Sequence, residues 1–213
     1  MRLPFGAFVS RTRGTPASIT RPLPAFSLVE LLVSIGIMLV IMSVAIVNHQ
    51  RFQGTLAITN LAYEIALSIR QAQVYGVSVR EFSSQANVNY GVAFGTSDLS
   101  SYVLFADLDL DALVDTSPNE AVETARMTGG NRITKFCGIS PGGGETCGPA
   151  SLTTLSVTFA RPNPDAIVTG RVGAGSPISY SGARIYVATP SGDTRCVLVR
   201  TTGQVAVEAS CPP

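Results

Sequence analysis

From Phe26 to Val47 the chain reads FSLVELLVSIGIMLVIMSVAIV, 22 residues with a single ionisable side chain, Glu30. At about 1.5 Å of rise per residue a helix over this run is about 33 Å long, enough to cross a bilayer core. A helix apolar on every side needs either a deep protein core or lipid around it. Only 14% of the 213 residues are charged and the formal net charge is +1, which excludes a disordered polyelectrolyte and a strongly basic nucleic-acid coat protein.

Charge divides at the same place. Residues 1–25 carry Arg2, Arg11, Arg13 and Arg21 and no acid, so this leader is +4 and the rest of the chain is −3. By the positive-inside tendency the leader stays cytoplasmic and the chain beyond Val47 is exported. A cleavable secretory signal fits less well, because its apolar core is about 7 to 15 residues long and ends at a small-residue cleavage site. Here the run continues into Asn48, His49, Gln50 and Arg51, and His49, the only histidine, reads as an interfacial helix residue.

No proline interrupts the chain between Pro24 and Pro118, so the helix is free to continue past the membrane. Ile58, Leu61, Ala62, Ile65, Ile69, Ala72 and Gly76 recur at three- and four-residue steps, with Glu64, Arg70 and Gln71 off that stripe. The pattern predicts one helix from Phe26 to about Val79, amphipathic in its second half, with Gly76 ending or loosening it.

Beyond residue 87 the pattern changes to short alternating or β-branched runs: 88–94, 102–106, 121–127, 152–159, 166–172, 184–188, 195–200 and 204–208. Turn residues such as Gly95-Thr96-Ser97-Asp98 and Pro141-Gly142-Gly143-Gly144 separate them. The expected fold is therefore α+β: a long N-terminal helix, transmembrane first and amphipathic after, packed on a small antiparallel sheet domain. The expected segments are 1–25 as leader, 26–80 as helix with 26–47 transmembrane, and 81–213 as the exported β-rich domain.

All four cysteines lie on the exported side, where disulfides persist. Of three possible pairings, the preferred one joins Cys137 to Cys147 across a Gly/Pro-rich loop and Cys196 to Cys211. A hairpin turning near Thr202-Gly203 would set Cys196 opposite residues 209–211. A zinc site is disfavoured because no CxxC pair is present.

Asp107, Asp109, Asp111 and Asp115, in DLDLDALVD, have the every-second spacing and oxygen-only chemistry of a Ca²⁺ loop. Ala112 stands where such a loop turns on glycine and Pro118 where its bidentate acid belongs, so the plainer expectation is a solvated acidic loop, with no cofactor required. Gly138-Ile139-Ser140-Pro141-Gly142 matches the hydrolase GxSxG string, but that elbow needs a following helix and a nearby histidine, so no enzyme is expected.

Pro24-Ala25-Phe26-Ser27-Leu28-Val29-Glu30-Leu31-Leu32-Val33 resembles the signal of type IV pilins and type II secretion pseudopilins: a small residue, Phe, and Glu five places into the mature chain. Leu67-Ser68-Ile69-Arg70-Gln71-Ala72-Gln73-Val74-Tyr75-Gly76 is similar to the helix end of GspH/FimT-type minor pseudopilins. The resemblance implies a pilin fold, cleavage by prepilin peptidase between Ala25 and Phe26, and N-methylation of Phe26. Ala25 departs from the family's usual Gly, and Val47 stands where many pilins have a helix-bending Pro.

A carboxylate in an apolar helix costs roughly 2 to 3 kcal/mol to insert, so Glu30 needs a partner. In a packed bundle that partner is the α-amine of a neighbour's Phe26, and the pair sets the axial register of assembly. The implied partners are other pilin or pseudopilin subunits, the prepilin peptidase, an inner-membrane assembly platform and the membrane itself. The implied location is a single pass of the cytoplasmic membrane, then an extracellular or periplasmic fibre.

Two alternatives stay open: a minor pilin binding DNA or another extracellular ligand, and an anchored exported domain that never polymerises. Nucleic acid is disfavoured. Members acting in DNA uptake carry a Gly-Arg-x-Arg motif where this chain reads Gly203-Gln204-Val205-Ala206-Val207-Glu208, and the mature part is acidic.

Overall fold

A computed structural model describes residues 26–78 and 80–212, with side chains given outside 47–53. The chain divides after Ile46 into two compact units. One α-helix, α1, covers Leu28–Val77, 50 residues and close to the bounds the sequence predicts. In the first unit its residues 28–46 are exposed on every side.

In the second unit the helix has a buried face. Ile58, Leu61, Ala62, Ile65, Ile69 and Ala72, the predicted stripe, are all buried, and Ala66 joins them. Small Ala side chains alternate with Ile and Leu along this face, which lets the helix approach the strands closely while the larger side chains fill the core. At its edges the face is tied by hydrogen bonds: Ser68 Oγ pairs with the Tyr102 hydroxyl at 2.9 Å, and Gln73 Nε2 donates to the Pro164 and Gly203 carbonyls.

Eleven strands follow among the described residues, where the sequence predicts eight. They are β1 (Asn89–Gly95), β2 (Ser101–Asp107), β3 (Ala121–Arg126), β4 (Arg132–Ile139), β5 (Glu145–Gly148), β6 (Thr154–Phe159), β7 (Ala166–Arg171), β8 (Ile178–Tyr180), β9 (Gly182–Ala188), β10 (Thr194–Arg200) and β11 (Val205–Glu208). They form two antiparallel sheets rather than the single one expected: six strands in the order β3-β2-β1-β6-β7-β8, and five in the order β11-β10-β9-β4-β5. The core joins the helix stripe to apolar residues of both sheets, with Tyr90, Phe94, Phe136 and Phe159 fully buried. Arg184 of β9 pairs with Glu145 of β5 and, at 3.5 Å, with Glu208 of β11, so one guanidinium ties both edges of the five-stranded sheet to its centre.

Gly76 lies one residue before the helix stops at Val77, where the sequence reading places the helix end, and it is buried. A Cβ built there would collide with the main chain of Phe159, so the glycine is what lets the helix touch β6.

Candidate functional site

At the head of α1 the chemistry is local and exposed. Ser27 Oγ accepts from the Glu30 N–H at 3.2 Å, and the Ser27 carbonyl accepts from Leu31 N–H at 3.1 Å. Ser27 is therefore the N-cap and Glu30 the third helical residue, the first-turn position that also suits a carboxylate beside the positive end of the helix dipole. The Ser-x-x-Glu spacing of residues 27–30 is itself a capping signal in the sequence. Phe26 is 76% exposed and Glu30 is also exposed, so both are open to a partner. Ala25 lies outside the described residues, as do the leader and the His49 side chain.

Behind this cap, Leu28–Ile46 has a mean hydropathy of 2.6 and none of it is buried, so this helix is long and apolar enough to cross a membrane. Further along, Leu56, Tyr63, Leu67 and Val74 are exposed although the other face of the same helical stretch is buried against the sheets.

The acidic segment is the expected solvated loop only in part: Asp109 is exposed and Asp111 and Asp115 are half-buried, but its two ends are not solvated. Asp107 ends β2 and Glu120 precedes β3, and both have 0% exposure. The intervening loop folds back on the six-stranded sheet: Leu113 is buried, and Thr158 Oγ1 of β6 donates to the Ala112 carbonyl. Burial, opposed by hydrogen bonds from Ala112 N–H and Asn89, pushes the Asp107 carboxyl up to about 6. Burial likewise raises Glu120, against N–H donors from Leu108 and Asp115 at 2.7 and 2.9 Å.

Ala112 makes the turn without glycine, at φ 62°, with Leu110 also left-handed at φ 67°. Ligand oxygens of Asp107, Asp109 and Glu120 lie within 4.8 Å of one another, and so do those of Asp109, Asp111 and Asp115. The structure thus gathers all four predicted aspartates around Asp109 and adds Glu120.

Both preferred disulfides form, Cys137–Cys147 and Cys196–Cys211. Cys137 and Cys147 face each other directly across β4 and β5. Cys196 lies opposite Glu208, one residue short of the expected stretch, and Cys211 returns to it from beyond the end of β11. The GxSxG string forms the end of β4 and a turn into β5, with no helix after it. Compared with family models, with curated proteins and with solved structures, the chain gives no match.

Proposed function

We propose that this chain is a type IV pilin-like or pseudopilin subunit: a substrate of prepilin peptidase that assembles through its N-terminal helix, with the β domain facing outward. The observation that carries the reading is the exposed apolar surface of α1 beyond the span. A membrane anchor needs only Leu28–Ile46. It has no use for Leu56, Tyr63, Leu67 and Val74, exposed at steps of seven, four and seven residues. That spacing is the period of a seam between packed helices. Equivalent helices of neighbouring subunits would cover it, and this favours assembly over a non-polymerising anchor.

In such a bundle Glu30 has a defined task. Its main chain is already capped by Ser27, so its carboxylate is free for a charge across the subunit interface. The amine of a processed Phe26 on a neighbour supplies that charge, and pairing in an apolar surrounding is favoured over leaving the carboxylate alone. The reading follows the pilin-like Phe26-Ser27-Leu28-Val29-Glu30 string in the sequence.

Replacing Glu30 by Gln in the native host tests this. The expected variant inserts in the membrane at wild-type level and is lost from sheared fibres or pseudopili. Wild-type incorporation would contradict the register role, and the anchor reading would then stand.

A further inference from the structure

We propose that the loop joining β2 to β3 is a Ca²⁺ site, with Asp107, Asp109 and Glu120 as its inner ligands and Asp111 and Asp115 as outer ones. Five carboxylates fall within residues 107–120, and the fold draws them together rather than spreading them into solvent. A cluster of acids alone would not point to an ion. The unpaired buried oxygen of Asp107 is the second observation that does.

Asp107 has 0% exposure and stands in the inner triad. Its Oδ2 accepts from Ala112 N–H at 3.2 Å and from Asn89 Nδ2 at 3.5 Å, while its Oδ1 is buried with no hydrogen-bond partner. A buried carboxylate oxygen without a donor costs on the order of 1–3 kcal/mol or more unless something positive meets it. No side-chain cation does so: among the described residues the cluster's only ion pair is Arg171 with the outer Asp111, at 3.4 Å. Glu120, also fully buried, accepts from the Leu108 and Asp115 N–H groups, one on each oxygen, and so ties the loop's start and its interior to its end while keeping lone pairs for a ligand.

The donors select the ion. Both triads are carboxylate only, without His or Cys, which suits a hard cation and not zinc or copper. Asp107, Asp109, Asp111 and Asp115 occupy the first, third, fifth and ninth places of a loop, the order in which acidic Ca²⁺ loops present ligands. An irregular loop with ligands of mixed exposure accommodates Ca²⁺, which tolerates six to eight oxygens in flexible geometry, better than Mg²⁺, which demands a tight octahedron. The ion would lock the β2–β3 connection onto the sheet. The inference stands independently of the pilin reading.

Thermal unfolding of the full chain in detergent micelles, followed by circular dichroism, tests it. With 10 mM CaCl₂ the transition should rise by about 3–10 °C, given a Kd of about 10⁻⁴–10⁻³ M. MgCl₂ at matched ionic strength should give less than a third of that rise. Asp107→Asn, which keeps the shape and removes the buried charge, should abolish the Ca²⁺ response, and Asp109→Asn at the exposed edge should weaken it at least threefold. Asp165→Asn, an exposed acid outside the cluster, should respond like the wild type. The proposal is overturned by no Ca²⁺ response in the wild type, by an equal response to MgCl₂, or by an undiminished response in both Asp107→Asn and Asp109→Asn.

Discussion

Ser27 Oγ accepts the Glu30 main-chain N–H at 3.2 Å, so the N-cap of α1 and the residue proposed to set the assembly register are held in one turn. The two roles separate by mutation. Ser27→Ala removes the cap, costing the helix about 0.5–2 kcal/mol, but leaves the Glu30 charge. Glu30→Gln leaves the cap and removes the charge. Fibre incorporation, quantified by immunoblot of sheared fractions, should fall by less than half in Ser27→Ala and more than tenfold in Glu30→Gln. Equal losses would mean that helix initiation, and not the carboxylate, limits assembly.

Gly76→Ala should destabilise the β domain by about 1–3 kcal/mol, because the added methyl meets the Phe159 main chain, which cannot move without shifting β6. In an exposed helix the same change would stabilise. The sign of the shift in urea midpoint therefore reports whether the helix and β6 touch at this point.

Each disulfide should contribute about 3 kcal/mol by loop closure, given sequence separations of 10 and 15 residues. Cys196→Ala with Cys211→Ala, and Cys137→Ala with Cys147→Ala, should each lower the free energy of chemical unfolding by that amount, seen as a lower urea midpoint. A midpoint unchanged on removing either pair would count against that bridge constraining the unfolded chain.

The Asp98 carboxyl is held down to about 2, first by the Ser100 hydroxyl, then by the Ser100 N–H and the Ser101 hydroxyl. Its ordinary value is 3.8, so the folded state holds the charged form more strongly than the unfolded state does. The stabilisation is complete above about pH 4 and is lost as the pH falls through about 2. Asp98→Asn should melt below the wild type at pH 7, and the difference should shrink toward zero near pH 2. A difference independent of pH would point to shape and not charge.

Where periodicity survives, the fold was legible. The stripe from Ile58 to Ala72 was readable because a helix half-buried along its length repeats its apolar positions at three and four residues. The Cys196–Cys211 pair was readable because β10 and β11 form a tight hairpin, and Cys137–Cys147 because the two lie ten residues apart across a Gly/Pro-rich turn. The three missed strands each lack such a signal. In β4 a bulge between Ile133 and Lys135 breaks the alternation, β5 is the four-residue Glu145–Gly148, and β8 has only three residues. With β4 and β5 unread, the second sheet could not be separated from the first.

The acidic loop was legible only in part, for a different reason. Burial of Asp107 depends on Leu113 and Ala112 folding back over β6, a long-range contact that local polarity does not encode. At Gly76 the nearby helix end was legible and the close approach to β6 was not, because both call for glycine and sequence does not distinguish them.

The central claim is that the apolar helix is an assembly element released by cleavage between Ala25 and Phe26. Mass spectrometry of the protein purified from envelope fractions tests it most directly. The account predicts a terminus at N-methylated Phe26; a chain that retains residues 1–25 would contradict it.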